Sequence, residues 1–211
     1  MGEVVQFISN GTEALSVRDT VGLSMAHDPV ARYIAKESHM AAFWDALISV
    51  YWSPKPRELH LMTKDCKSVV FARFHPEEKV SGLQAVLRDL RTVPTGKLSK
   101  LLAAIQLGQK IDRGKAAFAR EVGPYIYVFV IGTRPECQNM GLGSILMRHI
   151  NAIADSKGLP CYLESSSEKS RRFYERHGYH VRETVFMDKG APPLFLMSRP
   201  PGSACSKGCT E

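Results

Sequence analysis

Tyr125-Ile126-Tyr127-Val128-Phe129-Val130-Ile131 is seven apolar or aromatic residues in a row, rich in β-branched types. A run this short with no polar face fits a β-strand buried on both sides. Next comes Gln138-Asn139-Met140-Gly141-Leu142-Gly143, a glycine-rich turn. Leu142, Leu146, Ile150 and Ile153 then fall on one side of a helix that Gly158 stops. Residues 160–164 read as a short strand. Ser165 and Ser167 are candidate caps for a charged helix over 168–177, ended by Gly178. Residues 180–187 and 194–198 read as closing strands. The order strand, glycine turn, helix, strand, helix is a β-α-β unit with its bend at a helix start.

Gly141 and Gly143 let a ligand approach the backbone closely, and they aim free N–H groups at the positive end of the helix dipole. Such a nest binds a phosphate or pyrophosphate. An isolated glycine pair is equally at home in an ordinary strand-to-helix turn. The turn lacks the Lys-Ser/Thr ending of a P-loop, and Met140 before Gly141 breaks the dinucleotide fingerprint.

Upstream, residues 4–8 read as a first strand, and Val17, Val21 and Met25 share one helix face over 17–26. Asp28-Pro29 is a cap followed by proline at the first helical position, opening a helix with Val30 and Ile34 on one side. A third helix spans 38–52, broken by Ser53-Pro54-Lys55-Pro56. Residues 58–62 and 68–74 form a hairpin around a turn at 63–65. Leu83, Val86, Leu87 and Leu90 make one helical stripe, and Leu98, Leu101, Leu102 and Ile105 another, separated by Pro94 and Gly96. Residues 109–120 are polar and basic and read as a loop or frayed helix.

The chain has 211 residues, 44% hydrophobic and 23% charged, which suits one globular domain. No apolar run is long enough to span a bilayer. The first residues lack a signal-peptide pattern, and Cys66, Cys137, Cys161, Cys205 and Cys209 are odd in number and scattered, so a reducing, cytoplasmic setting is expected. Cys205 and Cys209 have no second ligand pair, so no metal site is expected there. A net charge of +7 favours a polyanionic ligand, but the basic residues are spread out, which argues against nucleic acid.

Val130-Ile131-Gly132-Thr133-Arg134-Pro135-Glu136-Cys137-Gln138-Asn139-Met140-Gly141-Leu142-Gly143 resembles motif A of the GNAT superfamily of N-acetyltransferases. Tyr162-Leu163-Glu164-Ser165, with Arg172-Phe173-Tyr174-Glu175-Arg176-His177-Gly178-Tyr179, resembles motif B. The likeness is greatest to puromycin N-acetyltransferase-like members and extends to Leu196-Met197-Ser198-Arg199-Pro200. Before residue 125 it is thinner: Ala26-His27-Asp28-Pro29-Val30 and the hairpin match the family layout, and residues 81–122 match nothing in it.

The resemblance implies an α/β (α+β) fold, a mixed, mostly antiparallel sheet with splayed central parallel strands flanked by helices. It implies one domain over 1–200, with an acetyl-CoA core at 125–199, a helical insertion or acceptor-side segment at 81–122, and a flexible tail at 201–211. Acetyl-CoA would be the cosubstrate, its pantetheine arm lying in the splay. Gly132 would be the bulge that opens the gap, and backbone groups of Ile131 and Thr133 would pair with the pantetheine amides. Backbone N–H groups of Asn139, Met140, Gly141, Leu142, Gly143 and Ser144 would hold the pyrophosphate, with Gln138 at the motif's first polar position. Ser170 stands where many members carry a cofactor-contacting Asn. Tyr174 matches the family's tyrosine near the cofactor sulfur, where a phenol can protonate the leaving thiolate.

An ammonium must lose a proton before it attacks, and Glu164 at the end of the fifth strand is the candidate base. Its alternative role is support of the following helix's N-terminus, and a water relay could replace it. Asp28 reads as a helix cap and His27 as a surface residue. Arg171 and Arg172 read as solvated charges, and Trp44, Tyr51 and Trp52 as core packing. The expected reaction is direct acetyl transfer to a primary amine, with a small-molecule acceptor and no nucleic-acid or membrane partner, by a monomer or homodimer. The rivals are a non-catalytic acyl-CoA sensor, an acyltransferase with another acyl group or a hydroxyl acceptor, and a basic nucleic-acid module.

Overall fold

The computed structural model describes residues 3–6, 13–35, 37–51, 58–75 and 98–202. In chain order the elements are β1 (Val4–Gln6), α1 (Ala14–Ser24), α2 (Pro29–Ile34), α3 (Met40–Tyr51), β2 (Glu58–Thr63), β3 (Ser68–His75), α4 (Leu98–Val122), β4 (Tyr125–Thr133), α5 (Leu142–Ser156), β5 (Cys161–Ser165), α6 (Glu168–Glu175), β6 (His180–Phe186) and β7 (Pro193–Arg199). Short 3-10 turns lie at Glu37–His39 and Pro135–Cys137.

The strands make one seven-stranded sheet in the order β1-β2-β3-β4-β5-β7-β6. Every pairing is antiparallel except that of β4 with β5. One face packs Leu61, Val70, Ile126, Val128 and Leu163 against Leu146, Met147 and Ile150 of α5 and Tyr174 of α6. Over β2–β4 the opposite face is covered by Val17, Val21, Trp44 and Ile48 of α1 and α3. Further along that face, α4 lays Leu107 and Phe118 on Tyr125, Tyr127, Tyr162 and Leu196. Alternate residues of β4 therefore bury on opposite sides, as its unbroken apolar run requires. The expected mixed, mostly antiparallel sheet with helices on its faces is the fold observed.

Residues 109–120 are helix, contrary to the loop or frayed helix expected of them, because α4 continues unbroken to Val122. Leu107, Ile111, Phe118 and Val122 recur at helical spacing and reach the core, while Lys, Arg and Asp fill the outer face and mask the stripe. Gly114 stands in the gap of that stripe. A Cβ there would sit 2.7 Å from Leu196 Cδ1 and 2.8 Å from the Tyr162 hydroxyl, so glycine lets the helix lie flush on the sheet.

The bulge expected at Gly132 lies instead at Phe129. Ala72 pairs with Val128 and Phe71 with Val130, which leaves Phe129 as the extra residue, whereas Gly132 pairs in register with Val69. Gly132 answers a different need: a Cβ there would collide with the Ser24 side chain, so α1 can approach β4 only over glycine. The stripe expected at 83–90, the break at 53–56, Trp52 and the tail beyond 202 lie outside the described residues.

Candidate active site

Parallel pairing of β4 and β5 covers only Ile126↔Cys161, Tyr127↔Tyr162 and Val128↔Leu163. Beyond it the strands part. The Ile126 N–H donates to Pro160 O at 2.9 Å, so below the bulge the even-numbered peptide groups face β5. Above Phe129 the parity is reversed. Gly132 O accepts from Ser68 Oγ at 3.1 Å, and Arg134 N–H donates to Lys67 O at 2.9 Å, both toward β3. Ile131 and Thr133 thus turn their peptide groups to the open edge. Gln138 sits at the end of that edge, where its Nε2 donates to Thr133 O at 3.4 Å and its Oε1 accepts from Lys169 Nζ at 3.3 Å.

The turn from β4 into α5 holds two residues in the left-handed region, Asn139 at φ 63° and Gly141 at φ 81°. Gly141 caps α5 with no side-chain hydrogen bond. Among the described residues the backbone N–H groups of residues 139–144 donate to no acceptor. Six successive unsatisfied donors at a helix N-terminus make a cradle for an anion, and a pyrophosphate fits the donor set. Gly143 packs within ordinary contact of Thr133 and Phe173, and Met140 is exposed. The Ser144 hydroxyl meets His177 Nε2 at 3.1 Å. Ser170 is placed differently from a free cofactor contact. Its hydroxyl lies 2.6 Å from Ser167 Oγ and accepts from Ser165 Oγ at 3.0 Å, inside the cap of α6.

Two ionisable groups flank the splay from opposite faces. Tyr174 on α6 is 7% exposed, its ring packed near Phe173 and Tyr179. Burial, then the charges of Asp28 and Glu164, push its phenol well above the usual range, so it stays protonated. Glu164 alternates with Tyr162 along β5 and so lies on the α4 side. Its Oε2 accepts from the Tyr127 hydroxyl at 2.7 Å, and its Oε1 is buried without a hydrogen-bond partner among the described residues. Burial raises its pKa, opposed by the Lys115 charge and by the Tyr127 hydrogen bond. Asp28 caps α2 as expected, accepting from Ala31 N–H at 2.8 Å, and also accepts from the Ser166 hydroxyl, which ties α2 to the turn after β5. Burial raises the Asp28 carboxyl as well.

The remaining candidates pack or pair within the fold or lie exposed on it. Trp44 is buried and donates to Met25 O at 3.2 Å. Arg171 pairs with Glu168 and Glu175 along α6, Arg172 is exposed, and His27 is exposed. Cys161 is a buried thiol whose pKa burial pushes up to about 11, which suits core packing and not nucleophilic attack. Sequence reasoning missed Tyr127, Lys115 and Ser166. Tyr127 sits inside an apolar run and Lys115 inside a basic one, so nothing local marks either residue.

Residues 98–181 match the family model of the acetyltransferase (GNAT) domain. That segment is similar to a GNAT acetyltransferase domain. The match begins at the first residue of α4 and ends in β6. An uncharacterized N-acetyltransferase of Schizosaccharomyces pombe is 34% identical over 77 residues, 36% of this chain, and the chain spans 31% of that relative's length. A Corynebacterium glutamicum structure described as histone acetyltransferase HPA2 and related acetyltransferase aligns over 97% of this chain and 99% of its own, with TM-score 0.63 and 17% identity. The Drosophila melanogaster polyamine N-acetyltransferase, which forms N-acetylagmatine, aligns over 94% and 99%, with TM-score 0.65 and 16% identity. At these identities the two structures share the fold with this chain.

Proposed function

We propose that this protein is an acetyl-CoA-dependent N-acetyltransferase that moves acetyl directly to a primary amine within a ternary complex. The observation that carries this reading is the run of unsatisfied amides at 139–144, set at the mouth of a splay lined by the peptide groups of Ile131 and Thr133. The amides would hold the pyrophosphate and the two strand residues the pantetheine arm. Bound there, acetyl-CoA would supply an activated thioester. Glu164 takes a proton from the incoming ammonium, so that the nitrogen lone pair is free to attack. The carbon–sulfur bond would break as the amide bond forms, the protonated phenol of Tyr174 would give its proton to the leaving sulfur, and the second proton of the nitrogen would return to the Tyr174 phenolate through solvent. The half-buried carboxylate and the buried phenol approach the gap from opposite faces, which suits one to accept a proton and the other to donate.

The acceptor is proposed to be a small amine, in keeping with the polyamine substrate class of the Drosophila structure of the same fold. Thiol release from acetyl-CoA, measured across a panel of amines that includes agmatine, tests the activity. Amine-dependent release supports it. Tight acetyl-CoA binding with no release for any amine overturns it in favour of an acyl-CoA sensor.

A further inference from the structure

We propose that Tyr127 and Lys115 are a pair of positioning residues that hold Glu164 through one carboxylate oxygen and leave the other for the acceptor's proton. The proposal rests on the reading of Glu164 as the base. Three elements meet there. Tyr127 on β4 donates its hydroxyl to Glu164 Oε2 at 2.7 Å. Lys115 on α4 sets its ammonium 4.7 Å from the centroid of the Tyr127 ring, and its charge bears on Glu164. Glu164 Oε1 is buried with no partner among the described residues.

A buried carboxylate with no help takes up a proton and can accept no further one, while an oxygen already held by a donor is less available to the acceptor. One hydrogen bond and one nearby cation favour the ionised form and leave the second oxygen without a bond. The ring does two jobs, since its edge-borne hydroxyl fixes the carboxylate and its face holds the ammonium. The other groups around Glu164 are Asp112 of α4, Tyr162 one step back along β5, and Tyr174 of α6 with Asp28 beyond it. Asp112 lies 3.5 Å from Lys115 Nζ and opposes it, so the balance at Glu164 depends on the geometry of α4. The acceptor-side helix thereby becomes part of the proton-transfer apparatus.

The test follows the side-chain carboxyl carbon of Glu164 by NMR as pH is varied, in the 13C-labelled full-length chain, with the signal assigned by its loss in Glu164→Gln. Tyr127→Phe and Lys115→Met should each move the titration midpoint upward by about one pH unit, because each removes a group that favours the ionised form. Lys115→Arg keeps the charge and should restore the midpoint. A packing role alone would leave the midpoint in place, so unmoved midpoints in both variants overturn the proposal. If Tyr127→Phe does not fold, Lys115→Met, on a partly exposed helix face, carries the measurement. The base reading is tested separately by thiol release in Glu164→Gln. Loss of release together with unmoved midpoints removes the positioning pair and leaves the base. Full release in Glu164→Gln removes the base and, with it, the purpose of the pair.

Discussion

Glu164 is half-buried with one carboxylate oxygen shut off from solvent, Tyr174 is buried, and burial raises both pKa values, with opposite consequences. A raised carboxyl is a stronger base, and a raised phenol remains a proton donor at neutral pH. Base catalysis needs Glu164 ionised, so acetyl transfer should fall on acidification along a limb that lies above the ordinary carboxylate range. A pH profile of kcat/KM checks this, and Glu164→Gln should abolish the limb. Tyr174→Phe should lower kcat on the order of 10²-fold, the scale of a lost general acid, while calorimetry shows acetyl-CoA binding nearly unchanged. At Gly141 nothing lies within 4 Å of where a Cβ would stand, so the cost of Gly141→Val is conformational. Its φ of 81° imposes strain of about 1–2 kcal/mol on an L side chain and should distort the amide cradle. Acetyl-CoA affinity should fall with it.

At the scale of elements, α4 depends on one close contact. Gly114→Val should push the helix off Tyr162 and Leu196 and cost about 1–3 kcal/mol, read as a lower melting temperature. Gly108→Ala, on the same helix with open space around it, should instead stabilise by about 0.5–1 kcal/mol. Most element boundaries were legible because apolar runs, caps and glycines are local signals. Asp28-Pro29 and Ser167 opened their helices as read. The middle of α4 was not legible, because its stripe is thin and its gap is filled by a glycine whose partner lies on strands far along the chain. The bulge was misread for a similar reason. A one-residue slip at Phe129 leaves no mark in composition, while Gly132, which looks like a bulge, serves the approach of α1. The run of unsatisfied amides at the start of α5 was legible in the glycine turn. The Tyr127–Glu164–Lys115 cluster was not, since it is assembled from three separate elements.

At the scale of the molecule, the sheet's far end is closed by Arg199 of β7, which forks onto Asp155 of α5 at 2.7 and 2.8 Å. The Gly202 N–H adds a third donor at 2.6 Å. Arg199 first, then Gly202, holds the Asp155 carboxyl below its ordinary 3.8. A lowered folded-state pKa means that the unfolded chain binds the proton more readily. The clamp's contribution is therefore whole above pH 3.8 and is lost as pH falls through the lower folded value. Asp155→Asn should cost about 1 kcal/mol at neutral pH, reduced by partial exposure, and should flatten the acid limb of a denaturation-versus-pH curve.

The central claim is that the cofactor sits on the unsatisfied amides between β4 and α5 and along the free edge of β4. Amide hydrogen exchange with and without acetyl-CoA measures this directly. The account predicts strong protection at residues 139–144, with further protection at Ile131 and Thr133. Binding that leaves those amides exchanging at their free rates would contradict it.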